Sequence, residues 1–379
     1  MAPAASDEPP VVQPPSVVSP LAWDSVSFAG DTAHAHLQDG TPAELTLNLE
    51  LQRAANQLLR EAFPIAGAAI LLDVASGRLL AYDQFTKHGH PTYDVLTGEA
   101  PSASVFKLVT TAALLEKTKV EPQTPVCFRG GEREILREHL EPPTRGAGTR
   151  CATFATALGF SRNAVYAQLV TEHLMRDDLD QIALKLGFNQ ALPFDLPARV
   201  GSLNLPYNDL DFARAAAGFQ HSSLSPLGAA HLAYTVALGG QSARMRLVQR
   251  AGDYDAPSER ELLGTVLSKV TANRLTRMME VTVHSGTSLE AFSQPDGSSY
   301  LKDIRVAGKT GTLQPADRSS TTTWFTGFAP SRDPKVVVTV FLRNDRVWRH
   351  KANQVARDLL RVYFKDHKGI SDPLAKPHV

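Results

Sequence analysis

Apolar residues recur at Leu51, Ala54, Ala55, Leu58, Leu59 and Ala62, the spacing of an amphipathic helix over residues 49–62. An almost unbroken apolar run over 67–73 and a second over 79–82 flank Ala75-Ser-Gly-Arg78, which predicts a hairpin of two well-buried strands. Upstream, alternation from Trp23 to Leu47 about Asp39-Gly40 predicts a small hairpin closed by a D-G turn. Past Pro101-Ser102, Val105, Leu108, Val109, Ala112 and Leu115 again keep helical spacing, while Phe106, Ala113 and Leu114 put apolar surface on the other sides. That helix is expected to be buried nearly all round. From residue 104 to about 290 the pattern reads as mostly helical. One helix starts at Ser225-Pro226 and stops at Gly239-Gly240; another spans 271–283, with Leu275, Met278 and Met279 as core. Strands return at 304–308, 323–328 and 335–342, the last two joined by a turn over 330–334, and a final helix covers 354–364. Two strands early and three late, linked by hairpins, predict an α/β (α+β) fold. Its core would be one mainly antiparallel sheet of about five strands, covered by helices and interrupted by a helical block. No internal repeat is present.

Composition narrows the class of protein. The 379 residues carry 39 Lys plus Arg against 39 Asp plus Glu, so there is no electrostatic case for nucleic acid or a membrane surface. No apolar run is long enough to span a bilayer. No signal-peptide pattern opens the chain, which leaves a cytoplasmic protein or a removed targeting segment. Residues 1–21 are Pro-rich and polar and read as a disordered tether. The two cysteines, Cys127 and Cys151, form no C-x-x-C, which argues against zinc. A disulfide suits an exported protein, two free thiols a cytoplasmic one.

Lys107 is the odd residue of its helix, because a lysine among buried apolar side chains is rare unless paired or shifted in pKa. Ser104 lies three residues back, on the same helix face. An amine without its proton there could take the hydroxyl proton and yield a serine nucleophile. The plainer alternative is a capping serine beside a snorkelling lysine. Two further short motifs follow: Ser161-Arg-Asn163 between helical stretches, and Lys309-Thr-Gly-Thr312 at the end of the 304–308 strand. The pairs His34/His36 and His88/His90 lack a third ligand at metal spacing and read as surface histidines. The charged run 129–141 reads as a solvated loop, and Trp324 as core beside the third motif.

S-x-x-K, S-x-N and K-T-G in this order form a set, and the chain thereby resembles the transpeptidase domain of penicillin-binding proteins, a β-lactamase-like fold. Leu45-Thr-Leu-Asn-Leu-Glu-Leu-Gln52, Leu224-Ser-Pro-Leu-Gly-Ala-Ala230, Ser285-Gly-Thr287 and Trp324-Phe-Thr-Gly-Phe-Ala329 are similar to the same family. The resemblance implies a hairpin unit over 22–45, the transpeptidase domain over 46–366 and a tail over 367–379. It implies Ser104 as the acylated nucleophile, Lys107 as its base, Ser161 as proton relay and Lys309 as the cation facing the substrate's acidic end. It also assigns Asn163 to a substrate amide, Thr310 and Thr312 to the terminal carboxylate, and Gly311 to substrate backbone. The N–H groups of Ser104 and Thr312 would form the oxyanion hole. No metal or organic cofactor is called for. The implied activity is D,D-transpeptidation of D-Ala-D-Ala stem peptides in peptidoglycan, with β-lactams as covalent inhibitors. The setting would be the periplasm or extracytoplasmic envelope, with a membrane-bound glycosyltransferase as partner. Water as acceptor would instead make a D,D-carboxypeptidase or β-lactamase, for which Glu172 is the carboxylate the sequence offers. A receptor acylated once without turnover is the non-enzymatic alternative.

Overall fold

A five-stranded antiparallel sheet organises the chain, in the order Ala307–Leu313, Thr321–Ala329, Val336–Asn344, Ala66–Asp73, Leu79–Thr86. The computed structural model describes residues 19–87, 94–144, 146–198, 201–315, 317, 319–346 and 348–375. The expected two early and three late strands are therefore present. Val336–Asn344 lies third of five and is buried on both faces, which is why it reads as a continuous apolar run. Successive residues of Ala66–Asp73 go to opposite cores, as a strand's two-residue period requires. Ala68, Ile70 and Leu72 join the larger core with the helix Pro226–Ala237 and the central helices. Ala69 and Leu71 join a smaller core under the helices Leu49–Ala62 and Ala352–Tyr363. Between the layers, Thr326 and Thr339 share a 2.7 Å hydrogen bond, and the Thr326 hydroxyl also donates to Ala229 O.

Side-chain caps fix where the helices start, two residues earlier than expected for the helix read over 271–283. Asn48 accepts the N–H of Leu51 at 3.0 Å, and Ser225 accepts that of Gly228 at 3.0 Å with Pro226 in the first position. Ser268 does the same for Lys269–His284 through Thr271 N–H.

Three expectations need correction. The predicted small hairpin is a meander of three strands, Leu21–Ala29, Thr32–Leu37 and Pro42–Leu45, and Asp39-Gly40 turns between the last two. Val248–Ala251 and Tyr254–Asp255 extend it to five strands. Its face of Ala33, Ala35, Leu37, Ala43 and Leu45 is buried in the larger core, while His34 and His36 project from the exposed face. His88 and His90, and the tether up to residue 18, lie outside the described residues. The block from 104 to 290, expected to be mostly helical, also contains two further strand pairs. Pro125–Phe128 pairs with Arg150–Thr153, and Gln241–Ala243 with Leu262–Thr265. The strand expected at 304–308 runs over Ala307–Leu313, so Lys309-Thr-Gly-Thr312 sits inside it and not at its end. The charged run 129–141 is solvated as expected, with every Arg and Glu exposed and only Gly131, Ile135 and His139 buried.

Cys127 and Cys151 face each other across the short ribbon and are joined by a disulfide. Among the described residues, no helix is long and apolar enough to cross a membrane.

Candidate active site

The helix predicted from Ser102 onward begins with a 3-10 turn, Ala103–Phe106, before the α-helix Lys107–Lys117. In a 3-10 turn the side chains at i and i+3 eclipse. That places Lys107 Nζ 2.9 Å from Ser104 Oγ. Packing holds the turn in shape. Ser102 Oγ meets Ser222 Oγ at 2.5 Å, and Ala103 takes a left-handed φ of 47°. Gly218, itself at φ 82°, lies so close that a Cβ there would stand 2.0 Å from Ala103 O. Gly311 of the edge strand presses on the other side, where a Cβ would be 3.2 Å from the Ala103 methyl.

Lys107 is completely buried. Its amine donates to Asn163 Oδ1 at 2.8 Å and to Ala217 O at 2.6 Å. Burial, and secondarily the Lys309 cation, hold its pKa well below the ordinary lysine value, which favours the unprotonated amine. The Tyr166 ring closes the floor 5.3 Å from Nζ, and its hydroxyl meets Thr111 Oγ1 at 2.6 Å.

Ser161 and Asn163 come from the junction of the helices Phe154–Gly159 and Asn163–His173. Ser161 occupies the left-handed region at φ 55°, a strained conformation of the kind stored at functional sites. Asn163 is oriented at both ends, since its Nδ2 donates to Glu132 O at 2.8 Å. Arg162, between them, stacks on the Phe160 and Phe128 rings, at 5.5 and 6.0 Å, and is not part of the cleft wall.

Lys309 is the third group. It is fully buried; its Nζ donates to Ser161 Oγ at 3.2 Å and to Thr310 O at 2.8 Å. Burial lowers its pKa to about 7. Along the strand, side chains alternate between faces. Lys309 and Gly311 turn towards Ser161 and Ala103, whereas Thr310 turns to Thr287, with the two hydroxyls 2.6 Å apart. Thr312 is exposed at the cleft. Trp324, paired with Gly311 in the sheet, is buried against Phe341 and donates Nε1–H to Pro101 O at 3.0 Å, which makes it core beside the site.

Ser104, Ser161, Asn163, Thr310, Gly311 and Thr312 thus border one cleft of about 840 Å³, and Lys107 and Lys309 lie beneath it. Among the described residues its wall contains one carboxylate, Glu132, and that group is tied to Arg150. Glu172 is exposed at the far end of the helix that Asn163 begins, beside His173 at 3.7 Å. Nine residues of helix separate it from Asn163 by about 13 Å, so it does not reach Ser104. Three contributors escaped the sequence reading: the carbonyls of Glu132 and Ala217, and Gly218. Backbone atoms carry no residue signature, and a lone glycine does not announce a close approach.

Residues 67–361 match the penicillin binding protein transpeptidase domain family. Over 348 residues the chain is 25% identical to the peptidoglycan D,D-transpeptidase PbpA of Mycobacterium tuberculosis, covering 80% of this chain and 68% of that protein. In three dimensions it is similar to the D,D-transpeptidase domain of a peptidoglycan glycosyltransferase from Eggerthella lenta, with a TM-score of 0.68 at 21% identity over 93% of this chain and 99% of the other. It is likewise similar to a penicillin G acyl-enzyme complex of M. tuberculosis penicillin-binding protein A, with a TM-score of 0.64 at 22% identity over 86% and 80% of the two chains. With its motifs gathered in one cleft and most of its length matched to that family, the chain belongs to the penicillin-binding protein transpeptidase domains.

Proposed function

We propose that the chain is a serine D,D-transpeptidase that cross-links D-Ala-D-Ala stem peptides of peptidoglycan through an acyl-enzyme. The observation that carries this reading is the buried Lys107 amine, its pKa lowered by burial, held 2.9 Å from Ser104 Oγ by Asn163 and Ala217. Ser104 Oγ attacks the carbonyl carbon of the penultimate D-Ala, and its proton passes to Lys107 Nζ. General-base assistance of this kind supplies about 10²–10⁴ in rate. The Ser104 and Thr312 N–H groups stabilise the oxyanion. The C–N bond to the terminal D-Ala breaks, and the proton taken up by Lys107 is relayed through Ser161 to the departing amine, which returns both groups to their starting states. The ester on Ser104 then meets the amine of a second stem peptide, and the steps run in reverse. Lys309, Thr310 and Thr312 hold the terminal carboxylate; Asn163 holds a substrate amide; Gly311 leaves room for substrate backbone on the strand edge.

The acceptor is an amine in this reading because, among the described residues, no carboxylate is placed to activate water over Ser104. That disfavours a carboxypeptidase or β-lactamase that depends on such a base. The reading also places the catalytic domain over 46–366 and the 22–45 strands as an appended unit. It puts the protein in the extracytoplasmic envelope, where a membrane-bound glycosyltransferase would supply the glycan strands. A stem pentapeptide ending in D-Ala-D-Ala, given with and without an acceptor amine, is the test. D-Ala release with formation of the amine adduct, absent in Ser104→Ala, is expected. Hydrolysis that ignores the added amine would overturn transpeptidation.

A further inference from the structure

A second cleft, of about 800 Å³, opens where the helix Pro226–Ala237 ends, beside the first turns of Lys269–His284 and the turn that joins the last two strands. It is nearly as large as the catalytic cleft and shares no lining residue with it. Four exposed cations border it: Arg260, Lys269, Arg277 and Arg332. None of the four forms an ion pair among the described residues. The cleft's two carboxylates already have partners. Glu280 binds Ser331 Oγ at 2.5 Å and Arg305 at 3.4 Å, and Asp333 binds Lys335 at 2.8 Å. Glu116 already occupies the helix N-terminus through Ser268, so the side chains set the character of this cleft and the helix end does not.

In a chain whose cations and anions are equal in number, four free cations converging on one concave surface are a local departure. The half-exposed Leu238 and Pro334 add apolar contact between them. The turn is preformed, because Ser331 is tied to Glu280 by its hydroxyl and to Arg305 O by its N–H. A fixed, cationic and partly apolar surface of this kind is complementary to an extended segment in which carboxylates alternate with apolar side chains. Three of the four cations are arginines, whose fork geometry suits carboxylates.

We infer that this second cleft is a docking surface for an acidic peptide segment of a partner protein. Interleaved apolar contacts and cations drawn from separate elements favour a peptide over a bare phosphate or sulfated polymer. The same helix that borders the docking cleft leads, past its far end, to Thr287 at the catalytic strand.

The test uses the full chain and a fluorescein-labelled peptide alternating Glu and Leu, read by fluorescence anisotropy. Binding should weaken at least tenfold in the triple variant Arg260→Glu, Arg277→Glu, Arg332→Glu, and similarly on raising the salt from about 0.05 to 0.3 M, where screening shortens. A matched Lys/Leu peptide should not bind. The acylation rate with a fluorescent penicillin should be unchanged in the variant, which certifies its fold. Equal affinity of wild type and variant, or no binding to the acidic peptide, would overturn the proposal. So would a sulfated polysaccharide or inorganic polyphosphate that binds the same site more tightly than the peptide does.

Discussion

Replacing Gly218 by alanine should disable the nucleophile without touching any catalytic side chain. The new methyl carbon would lie 2.0 Å from Ala103 O and 3.3 Å from Ser104 N. Carbon and carbonyl oxygen normally approach to roughly 3.3 Å, so something must move by more than 1 Å. On one side stands the turn bearing Ser104; on the other is the segment whose Ala217 carbonyl holds Lys107. Either shift breaks the 2.9 Å contact between base and nucleophile. A misplacement of 1 Å costs about 10²-fold in rate. The φ of 82° at position 218 adds a conformational cost of about 1–2 kcal/mol to stability. The assay is the second-order acylation rate with a fluorescent penicillin, alongside thermal melting. Gly297→Ala is the control. It imposes the same backbone strain at φ 83° with nothing within 4 Å of its Cβ, and should melt slightly lower while acylating normally. Acylation by Gly218→Ala within threefold of wild type would refute the argument from crowding.

Four other outcomes are expected. Lys107→Ala should slow acylation about a thousandfold or more, and a loss under tenfold would assign the base elsewhere. Ser104→Ala should abolish covalent labelling by penicillin. Lys309 has its pKa lowered to about 7 in the folded protein from 10.5, so the unfolded chain holds the extra proton between those values. Its contribution must therefore make stability rise with pH from about 7 towards 10.5, and Lys309→Met should flatten that rise in urea unfolding followed across the range. Removing the Cys127–Cys151 bridge, which spans 24 residues, should cost about 3 kcal/mol in the same assay. An unchanged stability would mean the ribbon is held by its other contacts.

The helices were legible because their caps and stripes are local. Asn48 with its stripe to Ala62, and Ser225-Pro226 with Gly239-Gly240, contain the whole signal within one element. The sheet was legible because Val336–Asn344 and Ala66–Asp73 are buried on both faces and read as apolar runs. The meander's completion was hidden, since Val248–Ala251 pairs with Pro42–Leu45 from some two hundred residues away. The edge strand was placed too early because Lys309, Thr310, Gly311 and Thr312 are polar or small. They stay in a strand through pairing with Thr323 to Thr326 and through burial of Lys309, and neither shows in local composition. At the site the motifs supplied the side chains. Their neighbours, the 3-10 turn at Ser104 and the carbonyls of Glu132 and Ala217, follow only from the packed chain.

Intact-protein mass spectrometry after incubation with benzylpenicillin, followed over hours, is the most direct test of Ser104 as an acylated nucleophile. The account predicts an adduct of one whole drug molecule that maps to the Ser104 peptide, persists while free drug remains, and is absent in Ser104→Ala. No adduct, an adduct on another residue, or one that disappears as the drug is hydrolysed would contradict it.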